Sequence, residues 1–178
     1  ALDVSGAPAQ TARLVKPGDS GLIIVAGGKS GMLCCYEARR RAGFNGMVIG
    51  LCGDAASEER LISLGVCDHT FVADATKPVA VMEKIEELTG GRMCDITINN
   101  VNVPDTEMAS ILSTRNDGTV YFFSMATSFT KAALGAEGVG SDVTMIVGNG
   151  YTKGHAELTL QIFRESETMR KIFTELYA

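Results

Sequence analysis

Six short apolar runs, at 21–26, 47–52, 69–72, 94–99, 119–123 and 143–148, alternate with stretches whose apolar residues recur at helical spacing, at 30–43, 56–65, 77–89 and 104–114. No other feature constrains the fold as much. A strand that is followed by a helix and then by another strand in the same sheet closes as a right-handed parallel crossover. The chain is therefore expected to be α/β, with a doubly wound parallel sheet of about six strands and helices on both faces. Twenty glycines and 6% aromatic residues suit strands buried on both sides and joined by tight turns. At 178 residues one core is expected.

Local signals agree with these boundaries. Pro104 with Asp105 and Glu107 places proline and acids where a first helical turn favours them. Thr76, ahead of Lys77-Pro78, is a plausible helix cap, and Gly43, Gly65 and Gly90 stand where helices should end. Leu158, Ile162, Phe163, Met169, Ile172, Phe173 and Leu176 space residues 152–178 as a C-terminal helical segment that could cover the sheet or dock on another surface. The opening Ala1-Leu2-Asp3-Val4 carries neither methionine nor cap and reads as the continuation of an apolar helix, as in a piece of a longer chain.

Charge and composition exclude several classes. A net charge of −5 argues against nucleic acid as a partner, and the one basic cluster, Arg39-Arg40-Arg41, reads as a solvated helix face. No apolar run approaches the length of a membrane span and no secretory signal opens the chain, so no membrane partner and a cytoplasmic location are expected. Cys34, Cys35, Cys52, Cys67 and Cys94 are odd in number and lack Cys-x-x-Cys pairs, so free thiols and no metal site are expected.

Ligands of an open parallel sheet bind beyond the carboxyl ends of its strands, so only the loops that follow strands can hold the site. After the first strand comes Ala26-Gly27-Gly28-Lys29-Ser30-Gly31. Gly28 and Gly31 have the spacing of the last two glycines of the dinucleotide fingerprint, and Ala26 stands where the first is expected. The backbone N–H groups of this turn would hold a diphosphate, with Lys29 either contacting it or solvated; a purely structural turn is the alternative. Placed at the head of the alternation, the turn makes the sheet Rossmann-type.

After the second strand, Cys52 occupies the position of the usual ribose-binding acid, and Asp54 could either reach the ribose or cap the next helix. With no arginine in this loop to meet a 2′-phosphate, NAD is the expected cofactor. Asp74 flanks the adenine or makes a plain turn. Asn99, Asn100, Val101 and Asn102 follow the fourth strand; their amides could orient the nicotinamide ribose or a substrate, and Asn100 and Val101 are the residues expected to touch the cofactor. Ser124 and Met125 follow the fifth strand and would face the nicotinamide. No catalytic constellation is evident: His69 reads as structural, His155 as a surface residue, and Glu107 and Glu137 have no identifiable partner carboxylate.

Lys16-Pro17-Gly18-Asp19, the glycine turn, Glu59-Arg60-Leu61 with Leu64-Gly65, and the Asp117-Gly118 turn together resemble the cofactor domain of medium-chain, alcohol-dehydrogenase-like enzymes across nearly the whole chain. Three longer strings, Asn102 to Ser110, Tyr121 to Phe129 and Gly148 to Tyr151, are similar to the 3,5-diaminohexanoate dehydrogenases of bacterial lysine fermentation. The resemblance implies NAD-dependent oxidative deamination of a small amino acid substrate at its C3 amine, giving 5-amino-3-oxohexanoate, ammonium and NADH. It also implies that residues 1–20 end a connection to an N-terminal catalytic domain absent from this chain, that 21–151 form the NAD(P)-binding domain, and that the chain alone is inactive. Dimerisation through the edge strand at 143–148 and the last helices is expected. The competing readings are an alcohol or quinone oxidoreductase of the same type and a non-enzymatic nucleotide-sensing module.

Overall fold

The computed structural model describes residues 2–148 and 150–177; Ala1, Ala178 and Asn149, the last of which belongs to one of the three strings, lie outside the described residues. A short 3₁₀ turn at Leu2–Val4 leads into α1 (Gly6–Leu14), and then strands and helices alternate. They are β1 (Ser20–Ile24), α2 (Lys29–Ala42), β2 (Met47–Cys52), α3 (Ala55–Leu64), β3 (His69–Val72), α4 (Pro78–Thr89), β4 (Cys94–Asn99), α5 (Glu107–Leu112), β5 (Thr114–Phe122), α6 (Phe129–Val139) and β6 (Thr144–Val147). Helices α7 (His155–Glu165) and α8 (Glu167–Tyr177) complete the fold.

The six strands form one parallel sheet in the order β3-β2-β1-β4-β5-β6, the expected Rossmann-type arrangement. Ile24 lies opposite Leu51 on one side and Asn99 on the other, so three central strands end level. Burial on both faces explains their continuous apolar runs. Ile23 joins Leu33, Val48, Ile98, Tyr121 and Phe173 in one layer, whereas its neighbours Leu22 and Ile24 join Ile49, Leu51, Val81 and Ile85 in the other. Four of the five cysteines are buried, three in the first layer and Cys94 in the second, and all five are free thiols.

Several boundaries differ from the sequence expectation, each for a local reason. The first strand stops at Ile24 because Val25 turns to a φ of +59°. Lys77, not Thr76, occupies the cap of α4, with Pro78 in its first turn; Thr76 instead donates from its N–H and Oγ1 to Asp74. Pro104 precedes its helix: α5 begins at Glu107, after Asp105 at a φ of +69°. Strand β5 begins at Thr114 rather than 119, where Thr114 Oγ1 donates to Thr97 Oγ1 across the sheet. Helix α6 was not expected, since Gly135 and Gly138 lower its helical propensity; at Gly135 the Met108 thioether packs where a Cβ would stand, 2.3 Å from Sδ.

The arginine triplet has Arg40 and Arg41 exposed, as expected of a solvated face, and also makes ion pairs. Arg39 donates to Asp68 and to the carbonyls of Gly43 and Gly46, fastening the end of α2, while Arg40 and Arg41 pair with the fully buried Glu37. The stretch expected to end a linker contains α1, which packs on α2 and α7.

At the amino ends of β1, β4 and β5, Asp95 accepts from Ser20 N–H (2.7 Å), Ser20 Oγ (2.9 Å) and Arg115 Nε (2.7 Å). Burial pushes its carboxyl up, but these donors outweigh burial and hold it below the ordinary value. A depressed folded value means stability that is present above the unfolded pKa and is lost as pH falls through the folded one. Asp95→Asn should therefore lower the Tm at neutral pH by a few degrees, with a deficit that shrinks as the pH falls below the ordinary carboxylate range, measured by thermal melts across pH.

Candidate functional site

The strand order reverses between β1 and β4, and this switch point opens a crevice at the carboxyl ends of the strands. The glycine turn occupies its centre. Ala26 N–H donates to Leu51 O and Gly28 N–H to Val25 O, and extended Gly28 then caps α2. A Cβ on Gly27 would lie 2.3 Å from the Ser57 carbonyl oxygen, and one on Gly31 would lie 2.0 Å from that of Val25. A Cβ on Gly28 would meet the Val25 methyl at 3.0 Å and the Val25 carbonyl oxygen at 3.3 Å, both looser contacts. Backbone contact therefore demands glycine at 27 and 31 more strictly than at 28. Alanine is tolerated at 26 because the left-handed residue of this turn is Val25.

The first turn of α2 leaves backbone N–H groups without helical partners, directed at the crevice with the positive end of the dipole. Its Lys29 is engaged elsewhere: Nζ lies 2.8 Å from Asp3 and 5.2 Å from the centre of the Tyr177 ring. Neither residue could be linked to Lys29 from the sequence, because both come from distant ends of the chain.

On the β1-β2-β3 side lies a cleft of about 330 Å³ bounded by Val25, Leu51, Gly53, Asp74 and Val101. Cys52 is buried beneath the turn, its thiol facing Gly27 N–H and Ser57, and burial pushes it up. Asp54 is the cap of α3, accepting from Ser57 N–H at 2.8 Å. Asp74 stands exposed at the cleft, held below the ordinary carboxylate range by its bonds from Thr76.

On the β4-β5-β6 side a second cleft, of about 300 Å³, is bounded by Ser30, Asn100, Asn102, Phe123, Met125 and Gly148. The three asparagines there have separate roles. Asn99 is fully buried; its Nδ2 donates to Thr106 Oγ1 (3.0 Å) and Ser110 Oγ (2.9 Å), and its Oδ1 accepts from Val101 N–H (2.9 Å). Asn100 lines the cleft with its Nδ2 unpartnered among the described residues, and Asn102 is exposed at the rim. Ser124 is nearly buried and accepts from Ala126 N–H, whereas Met125 is almost wholly exposed.

Glu107 has a structural task that sequence reasoning missed: buried in α5, it accepts from Ser128 N–H at 2.7 Å and so holds the loop after β5. His69 opens β3 at the opposite end of the sheet, beside a polar cavity with Asp68, Arg92, Asp95 and Arg115. His155 starts α7, with Nδ1 2.8 Å from Thr152 O. Among the described residues no group of three His, Cys, Asp or Glu could hold a metal ion, and no helix is long and apolar enough to cross a membrane.

This sheet order, with a glycine-cradled turn from β1 into the N-terminus of α2 at the switch point, defines a Rossmann-type domain. The chain is 63% identical over 177 residues to L-erythro-3,5-diaminohexanoate dehydrogenase of Acetoanaerobium sticklandii, and 54% identical over 179 residues to that of Fusobacterium nucleatum, in each case over 99% of its own length. It spans about half the length of these curated relatives, 52% and 51%. No family model matches it. In fold it is similar to an alcohol dehydrogenase of the archaeon Aeropyrum pernix (TM-score 0.72, 18% identity, 92% of this chain and 45% of that one). It is likewise similar to a mycobacterial protein solved with NADPH (TM-score 0.68, 19% identity, 92% and 52%).

Proposed function

We propose that this chain is the cofactor-binding part of an L-erythro-3,5-diaminohexanoate dehydrogenase, which converts that substrate to 5-amino-3-oxohexanoate, ammonium and NADH. The observation that carries the reading is the close sequence kinship to two enzymes of that name along almost every residue of the chain. The crevice fits a dinucleotide: Gly27 and Gly31 let the turn pack directly on the backbone of Ser57 and Val25, and α2 presents its N-terminus at the switch point. A bound nicotinamide cofactor supplies the electron acceptor for the oxidation.

The chain's own residues bind and orient. The backbone of Gly27, Gly28, Lys29, Ser30 and Gly31 takes the diphosphate; Cys52, Asp54 and Asp74 surround the adenosine half, and Asn100, Val101, Ser124 and Met125 the nicotinamide half. NAD is favoured over NADP, because no basic side chain lines the adenosine-side cleft while Asp74 does. The acid and base of the reaction are assigned to an N-terminal catalytic domain of the longer enzyme. The reading extends to a cytoplasmic enzyme of lysine fermentation that acts on a small amino acid. Its second subunit pairs along β6, an edge strand beside the exposed Phe129 and Leu134 of α6.

Calorimetry should show NADH binding, and the full-length protein should reduce NAD with the diamino acid. Alcohol oxidation without deamination would overturn the substrate, and nucleotide binding without turnover would leave a sensing module.

A further inference from the structure

One carboxylate at the border of the cleft on the β4-β5-β6 side has no part in the cofactor site described above. Asp3 lies in the turn Leu2–Val4, which Ser5 Oγ closes by donating to Leu2 O at 2.8 Å, and which leads into α1. Asp3 lines the cleft with Ser30, Asn100, Asn102 and Met125, and its carbonyl oxygen lies 3.9 Å from the place of a Cβ on Gly150, another part of the same wall. Among the described residues of this lining, Asp3 has the only charged side chain.

That charge is fixed in place. Lys29, the neighbour of Ser30, brings its Nζ within 2.8 Å of Asp3 Oδ2 and is itself held 5.2 Å from the centre of the Tyr177 ring. The bond from Lys29 keeps the Asp3 carboxyl below its ordinary value, so the group is ionised at neutral pH. The pairing does not enclose it, since the Asp3 side chain is 63% exposed. A carboxylate has about four lone-pair sites, and so can accept from a second cation alongside Lys29.

We infer that Asp3 is a specificity-determining residue for a substrate with two amines, its carboxylate pairing with the ammonium at C5 of the diamino acid while C3 reacts. The inference rests on the proposed reaction. Loss of hydride from C3 requires the C3 amine as the free base, because its lone pair becomes part of the C=N bond; a fixed negative charge beside that nitrogen would favour its protonated form. The C5 amine takes no part in the chemistry. It stays an ammonium from substrate to 5-amino-3-oxohexanoate, and so suits a carboxylate that is permanently ionised. A neutral alcohol of the same length offers Asp3 no partner.

The test is steady-state kinetics of the full-length protein, as wild type, Asp3→Asn and Asp3→Glu. The compounds are the diamino acid and 3-aminohexanoate, which has the same chain without the C5 amine and is followed both as substrate and as competitive inhibitor. Asp3→Asn should raise the KM of the diamino acid about tenfold, the loss of one charge-assisted hydrogen bond, while kcat and the KM of NAD change less than about twofold. Binding of 3-aminohexanoate should be unchanged, and Asp3→Glu, which keeps the charge, should retain the preference for the diamino acid. Equal losses for the two compounds, a parallel rise in the KM of NAD, or an unchanged preference in Asp3→Asn would overturn the inference. A wild-type enzyme inert toward the diamino acid would overturn the proposed reaction instead.

Discussion

Replacing Gly31 by alanine should lower the thermal midpoint by about 6–12 °C and weaken NADH binding by at least about tenfold, whereas Gly28→Ala should leave the midpoint nearly unchanged. The contrast arises from what each new Cβ would meet. At 31 it would fall 2.0 Å from the Val25 carbonyl oxygen and 2.8 Å from the Ala26 Cα, both backbone atoms of the segment that leads out of β1. Relief requires α2 to move away from the strand it packs on, which costs about 3 kcal/mol and displaces the N–H groups of its first turn. At 28 the contacts are looser, a Val25 methyl at 3.0 Å and the Val25 carbonyl oxygen at 3.3 Å, and a shift of a few tenths of an ångström accommodates them. Melts and calorimetry on the two variants check this, and similar behaviour of both would refute the packing account.

Asn99→Ala is expected to cost about 3 kcal/mol and to disturb the cleft through its wall. The side chain ends β4, and its carboxamide ties that end to α5 through Thr106 and Ser110 while holding Val101 N–H on its other side. Alanine would leave the Thr106 hydroxyl and the Val101 N–H without the partner that Asn99 supplies, while the Ser110 hydroxyl and the Thr106 carbonyl keep their bond to each other. Denaturant unfolding measures the loss. Because Asn100 and Val101 follow directly, NADH binding should fall in parallel; an unchanged affinity in a destabilised variant would show that the loop is held by other contacts.

The strands were legible because each presents an apolar run, and the parallel order follows from the helices between them. The start of β5 was not, since Arg115, Asn116, Asp117 and Gly118 read as a turn although they continue the strand. The glycine turn was located, yet its spacing singled out Gly28 and Gly31. The strictness of Gly27 comes from the carbonyl of Ser57, which the fold brings across from α3. Three asparagines in four positions look equivalent as letters. Only the path of the backbone sends one into the sheet, one to the cleft and one to solvent. Asp54 illustrates the same limit, because capping and ribose binding ask for the same carboxylate at the same place.

The separation of the core by the sheet gives the buried cysteines a further meaning. Cys34, Cys35 and Cys52 lie in the layer beneath α2, whereas Cys94 lies on the opposite side under α4 and α5. An alkylating reagent can reach each thiol only when its own layer opens, so the rates at which they become labelled report two local unfolding events separately. The chain thus carries internal clocks for the breathing of its two faces, and ligand occupancy at the seam between them would be recorded by both.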